Sequence, residues 1–470
     1  MTTQISGQEA AKNYFESGEV LRGQGQIAEA IQQYKLAVET YPQHLDGLCQ
    51  LADIYAEAEK FESAIECYRK ALELQPNSAG IHIKLAKALA STHQLQESVT
   101  EFRKAIDLKP DVGFDVYLGL IDILKRQNDF KQARSFCRQY LEIDPSSPKA
   151  RLCLGDLCFY QKSIDQSLTH YQRFLKGNPE GAVVYFRHIL SLGLANREDQ
   201  EFREQFIAAH PTLMSLLQDN VQYQSSSINV YHCCAPRTAS QWLKKILVDF
   251  RIYQYSGLAP IPVGLVETPG KVPPQTLQTG TFPISYEAFC QMPKPETYKA
   301  FFVIRDPRDL VVSSYFANRY SHVVSQSTLK NRQVLSDLAV EDGILYMIDA
   351  LQGLFQALQS WVDAKKLGES ELAHQVKLIR YEDLTGENQL ETFTDLFQHC
   401  DIAIPESVLS QLLEDNKFKK LSGGRKQGEE NHMSHYRKGV SGDWKNYFSE
   451  PIQQKFAQAV GDLVQELGYL

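Results

Sequence analysis

The sequence predicts a multidomain chain, an all-α helical solenoid followed by an α/β domain with a parallel sheet. Two observations carry this. Pro42, Pro76, Pro110, Pro145, Pro179 and Pro211 recur at intervals of 34, 34, 35, 34 and 32 residues, a period that marks tandem helix-turn-helix units. Past residue 226 the period stops, and short apolar runs lead through turns into helical patterns, the alternation of a parallel sheet. The boundaries read as 9–220 for the solenoid and 226–470 for the α/β domain.

The second unit shows the helical pattern most clearly. Leu51, Ala52 and Tyr55 fall on one helix, and Phe61, Ala64, Tyr68, Ala71 and Leu74 on the next, ending at Pro76. Small residues stand where helices cross closely and aromatic ones where they interlock. Other units keep parts of the pattern: Gly18, Ala30, Tyr34 and Ala37 in the first, Ala86, Phe102 and Ala105 in the third, Ala133 in the fourth, Gly155 and Tyr171 in the fifth. A continuous coiled coil is incompatible with a period of this length broken by prolines. The pattern resembles the tetratricopeptide repeat. The resemblance implies a concave face that docks an unidentified protein or peptide, and a weaker sixth unit, ending at Pro211, that caps the stack.

In the second half, Ile228 to Leu247 reads as an apolar run, a proline-marked turn and a helix with Trp242, Leu243, Ile246 and Leu247 on one face. A loop between a buried strand and a helix N-terminus points backbone N–H groups and the positive helix end at whatever lies above it, which suits a phosphate or sulfate. Ala300 to Phe316 repeats the arrangement. A buried strand ends at Ile304, Asp306-Pro307 starts a helix, Arg305 sits at the strand's carboxyl edge and Ser313 lies about two turns along the helix. A third strand, Val376 to Tyr381, precedes Glu382-Asp383-Leu384. Near the end, Arg437-Lys438-Gly439 followed by Gly442-Asp443-Trp444 packs two cations beside a glycine and aromatic rings, the chemistry needed to hold a phosphate on a backbone loop.

These segments, in this order, resemble the signatures of nucleotide-dependent sulfotransferases, and imply a P-loop-like sulfotransferase domain that uses 3′-phosphoadenosine 5′-phosphosulfate (PAPS) without a metal. Carried over position by position, the 5′-phosphosulfate loop is Pro236, Arg237, Thr238, Ala239, Ser240, Gln241 and Trp242. Arg237 is expected to bond the sulfuryl and bridging oxygens, Thr238 and Ser240 to donate through hydroxyls, Gln241 through its amide, and Trp242 to stack on adenine. Ala239 stands where the family has glycine. The resemblance assigns Arg305, Ser313, Arg437, Lys438 and Gly439 to the 3′-phosphate, and Tyr381 and Phe418 to the base. Many cytosolic members use a histidine before a leucine-proline pair as the base. Thr281 occupies that place here and cannot act as a base near neutral pH. Members with arginine in the loop use a downstream glutamate, which makes Glu267 the candidate general base, with His322 in reserve.

Composition bounds the remainder. Of 470 residues 43% are apolar and 23% charged, ordinary for a soluble protein of two or more domains. A formal charge of −8 argues against broad nucleic-acid binding. Nine scattered cysteines without a Cys-x-x-Cys pair, and no clustered histidines, suggest neither a disulfide framework nor a metal site. No run reaches the roughly 18–20 apolar residues of a membrane span, and the start lacks a basic, then apolar, signal, so a cytoplasmic protein is expected. Two functions stay open: sulfuryl transfer to an acceptor hydroxyl or amine, with the repeats docking a partner or protein acceptor, and a repeat scaffold whose C-terminal domain binds the nucleotide without turnover.

Overall fold

The computed structural model describes residues 2–469 apart from 177, 179, 197, 228, 236–237, 239, 262–272, 282–284, 322–325, 369–373 and 435–436. The chain divides into two compact units, Met1–Gly181 and Ala182–Leu470.

The first unit is a run of antiparallel helix pairs: α1 (Thr2–Gly23), α2 (Ile27–Thr40), α3 (Leu45–Glu57), α4 (Phe61–Leu74), α5 (Ala79–Ser91), α6 (Leu95–Leu108), α7 (Phe114–Arg126), α8 (Phe130–Ile143), α9 (Pro148–Tyr160) and α10 (Ile164–Lys176). Side-chain caps start several of them: Asp129 accepts from the Gln132 N–H and Ser147 from the Ala150 N–H. The small and aromatic positions expected from the sequence form the core, with Ala30, Tyr34, Ala64, Tyr68, Phe102, Ala133 and Tyr171 buried. At Gly155 the need for a small residue is steric. A Cβ there would lie 2.3 Å from the Tyr171 ring.

The next helices, α11 (Gly181–Ala195) and α12 (Gln200–Ser215), group with the second unit. This differs from the expected division near residue 220, and aromatic packing explains it. Phe186 meets Phe250 edge-on at 5.2 Å, and the Tyr253 hydroxyl donates to the Met214 carbonyl at 3.0 Å. Pro211, expected to end a sixth repeat, lies inside α12.

Beyond these helices stands a parallel sheet. Its strands are β1 (Asn229–Cys234), β2 (Ala259–Ile261), β3 (Thr276–Thr281), β4 (Tyr298–Ile304) and β5 (Val376–Arg380), in the order β2-β3-β1-β4-β5. The register pairs Cys234 with Val303 across β1 and β4, and shifts between His232 and Cys233 on the β3 side. Alternation along β4 sends Ala300, Phe302 and Ile304 into one apolar layer and Phe301 and Val303 into the other. Helix α13 (Ser240–Leu247), with α14 (Phe250–Gln254) after it, packs Leu243, Ile246 and Leu247 into the second layer. The helix after β4, Pro307–Phe316, packs Leu310, Val311 and Tyr315 into the first. The chain therefore leaves neighbouring strands β1 and β4 toward opposite faces, which opens a crevice at their carboxyl ends, where open α/β sheets bind ligands.

Candidate functional site

Three segments meet around that crevice. In the turn after β1, Thr238 is buried and its hydroxyl donates to the Ala235 carbonyl at 2.7 Å. Behind it, burial pushes the Cys234 thiol up to about 12, as befits a packed thiol rather than a reactive one. Ser240 opens α13 and Gln241 is exposed on its first turn. Trp242 donates its indole N–H to the Asn416 carbonyl at 2.9 Å and lies edge-on to Phe393 at 5.8 Å. Pro236, Arg237, Ala239, Glu267 and His322 fall outside the described residues, as do the side chains of Ser240 and Thr281.

The segment after β4 is built around two aspartates. Asp306 caps its helix, accepting from the Arg308 N–H at 2.9 Å, while the Arg308 guanidinium grips both of its oxygens at 2.7–3.2 Å. Arg305 lies over the Tyr381 ring at 4.7 Å, with its guanidinium 3.6 Å from the Asp309 carboxylate. Ser313 follows on the same helix, half-buried. Asp309 is 1% exposed and accepts from the backbone N–H of Gly442 at 2.7 Å and of Trp444 at 3.0 Å. Arg308 stacks on the Trp444 ring at 3.9 Å. One buried carboxylate thus fixes the C-terminal segment to the turn that carries Arg305.

In that third segment Arg437 lies over the Phe316 ring at 4.4 Å and bonds Glu430 and Asp443. Lys438 and Asn446 donate to Asp443 at 2.7 and 2.9 Å. Burial acts to raise the pKa of Asp443, but Lys438 and Arg437 hold it below the usual carboxylate range. Burial alone would lower Arg437, and its two acid partners raise it. Gly439 has φ +69, and a Cβ there would sit 2.3 Å from the Phe418 ring, so both its conformation and its contact call for glycine. Arg425 lies over Phe418 at 5.4 Å and donates to the Arg437 carbonyl at 2.9 Å. Phe418 and Arg437-Lys438-Gly439 form one cluster, linked through Asp443 and Asp309 to Arg305.

Three acids that organise the site were not among its expected residues. Asp309, Asp443 and Glu382 organise the cations: Glu382 accepts from the Tyr469 hydroxyl at 2.6 Å and the Asp306 N–H at 3.4 Å, and burial raises its pKa. Asp309 and Asp443 stand within the runs already singled out and balance cations four to six residues away, but that Asp309 also accepts from backbone 133 and 135 residues later is not a sequence signal.

A sulfotransferase-domain family profile matches residues 284–468, and tetratricopeptide-repeat profiles match 11–44, 52–92, 79–112 and 115–147. The chain joins tetratricopeptide repeats to a sulfotransferase domain. Among curated proteins, the chain is 24% identical over 188 residues to the human protein "Sulfotransferase 2A1", covering 36% of this chain and 59% of that protein. It is 20% identical over 296 residues to "Flavonol sulfotransferase-like" of Flaveria bidentis, covering 57% of this chain and 91% of that protein. The chain therefore spans less than two thirds of the first relative's length. Among solved structures, MamA is 22% identical with a TM-score of 0.35, covering 37% of this chain and 94% of that one. YrrB, described as having an unusual peptide-binding site, is 18% identical with a TM-score of 0.29, covering 40% and 96%.

The sulfotransferase domain ends its match at residue 468, next to Tyr469, which holds Glu382. None of the helices is long and apolar enough to cross a membrane, among the described residues.

Proposed function

We propose that this protein is a cytoplasmic sulfotransferase that moves the sulfuryl group of PAPS to an acceptor hydroxyl or amine, with the repeats docking a partner or the acceptor itself. The observation that supports it most is the Asp309 tether, which brings Arg305 and the Arg437-Lys438-Gly439 run to one end of the sheet. The residues fit the donor. Cations now balanced by Asp309, Asp443 and Glu430 suit its phosphates, and the Gly439 turn admits a backbone N–H where a side chain would not fit.

In this reading Arg305, Ser313, Arg437, Lys438 and Gly439 hold the 3′-phosphate, and Trp242, Tyr381 and Phe418 flank the adenine. Arg237, Thr238, Ala239, Ser240 and Gln241 hold the phosphosulfate end. PAPS supplies an activated sulfuryl group and leaves as adenosine 3′,5′-bisphosphate. The protein's contribution is alignment of the acceptor and stabilisation of charge on the transferring group, with Glu267 taking the acceptor proton. Glu267→Gln is expected to lower kcat by roughly 10²–10⁴ with nucleotide affinity unchanged. Activity within a few-fold of wild type would clear Glu267.

The deciding measurement is thermal. Adenosine 3′,5′-bisphosphate should raise the melting temperature of the sulfotransferase unit and ATP should do so much less. Equal shifts would remove the 3′-phosphate assignment. Transfer of labelled sulfate from PAPS to an acceptor panel then separates an active enzyme from a nucleotide-binding scaffold.

A further inference from the structure

Side chains of β1 hold β3 at two places, and the second lies at the crevice. At the first, the Asn229 Oδ1 accepts from the Thr276 N–H at 3.2 Å and from its hydroxyl at 3.1 Å. Asn229 to His232 then pair in step with Thr276 to Thr279, but Cys233 pairs with Thr281, so Gly280 is an extra residue on β3. Gly280 has φ +72, the left-handed conformation of a bulge built on glycine. Its N–H donates to His232 Nδ1 at 3.2 Å.

Stacking does not account for that histidine. His232 is fully buried and lies on Phe301 at 5.0 Å, in the second apolar layer with Val230 and Cys234. A phenylalanine would stack there as well and leave no polar atom to satisfy. The imidazole leaves its Nε2 without a hydrogen-bond partner among the described residues, and the Thr279 hydroxyl opposite it in the register has none either, which costs free energy. The bond to Gly280 is what only the histidine supplies. Burial lowers its pKa to about 3, so the ring is neutral, with the proton on Nε2 and the lone pair on Nδ1.

We propose, on the sulfotransferase reading of the site, that His232 is a positioning residue: its Nδ1 fixes the Gly280 bulge, and the bulge sets the phase in which the chain leaving β3 meets the acceptor. Without the extra residue, position 281 would continue the second-layer alternation of Leu277 and Thr279. With it, 281 pairs with Cys233, which belongs to the first layer. In the strand order β3 and β4 flank β1 on opposite sides. Arg305 follows the end of β4, so the end of β3 lies across the β1 turn from the 3′-phosphate cations, on the side left for the acceptor. A change in its phase moves groups that face the acceptor and leaves the nucleotide cluster in place.

Nitrogen-15 labelling of the histidines in the full chain reads the tautomer directly. His232, assigned by the signal missing from His232→Asn, should carry its proton on Nε2 and none on Nδ1 at pH 7. A proton on Nδ1 overturns the proposal, and the wild-type spectrum shows it even if a variant fails to fold. His232→Phe keeps the stacking and removes the acceptor, whereas His232→Asn puts a carbonyl oxygen near the place of Nδ1. Hydrogen exchange at the Gly280 N–H should accelerate about tenfold in the first and stay within about threefold of wild type in the second. In transfer of labelled sulfate from PAPS, kcat/KM for the acceptor should fall about 10–100-fold in the Phe variant, with affinity for adenosine 3′,5′-bisphosphate within about twofold, and the Asn variant should recover most of the loss. Unchanged exchange at Gly280, equal losses in the two variants, or bisphosphate affinity that falls in step with turnover overturns the proposal. A wild-type chain that transfers no sulfate removes the sulfotransferase reading and the acceptor half of the proposal with it, while the tautomer and the exchange rates still decide whether His232 holds the bulge.

Discussion

In the repeat unit Tyr34, Tyr68 and Tyr171 each donate to an acid fifteen residues earlier, Glu19, Asp53 and Asp156, whereas in the sheet unit Asp309 accepts from Gly442 and Trp444, 133 and 135 residues later. The first pattern is the same contact made in three of the repeats, the first, second and fifth, and the loss of one leaves its neighbours in place. The second is made once. Repeats spread their stability over near-neighbour interfaces, while a site built from distant segments depends on single buried groups.

The strongest way to break this comparison is to cut the chain. A fragment beginning at residue 182 should fold and melt cooperatively, whereas one beginning near Gln222 loses α11 and α12, exposes Phe250 and Tyr253 and should be insoluble or molten. Equal solubility and equal melting of the two would show that the helix pair does not belong to the sheet unit.

Next in size is Asp309→Ala, which removes the tether and leaves two half-buried N–H groups without an acceptor. Denaturant titration should show the sheet unit losing about 3–5 kcal/mol while the repeat transition stays in place. A loss under 1 kcal/mol would mean that the 442–444 segment is held by other contacts.

Acid should then separate the units by a smaller amount. His210 and His232 are fully buried, and burial lowers their pKa values to about 4 and about 3. The unfolded chain titrates them near 6.5, so below that pH it binds more protons than the native state and stability falls as the pH drops toward 4. Between pH 6.5 and 5.5 the sheet unit should lose about 1–3 kcal/mol. In the repeat unit His170 is also lowered to about 4, by burial and then by nearby arginines, but it is only half-buried, so the change there should be smaller. A sheet unit whose stability is flat from pH 7 to 5 would contradict this.

The smallest effect belongs to the repeats. Gly155→Ala sets a Cβ against the Tyr171 ring but improves helix propensity, so the net cost should be about 1 kcal/mol on the first transition alone. A shift of the second transition would mean that strain in one repeat reaches the sheet unit.

The repeats were legible because a helix pair writes its packing into a fixed spacing of small and aromatic residues, and Ala64, Tyr68, Gly155 and Tyr171 stand buried where the period puts them. The period misled only at Pro211, which α12 accommodates, because aromatic packing with α14 holds that helix pair to the sheet unit. Of the site, Arg305, Phe418 and Arg437-Lys438-Gly439 could be read as local runs, since each sits at a strand end or in a glycine turn. Their assembly could not. Asp309 and Asp443 lie four to six residues from the cations they balance, but Asp309 also holds backbone 133 and 135 residues later, and no spacing records that. The sequence by itself determined the helices, the strands and the cations; only the tertiary structure decided that the buried Asp309 joins the segment carrying Arg305 to the one carrying Arg437, because a buried carboxylate must be satisfied by whatever donors the fold brings to it, here from residues 442 and 444.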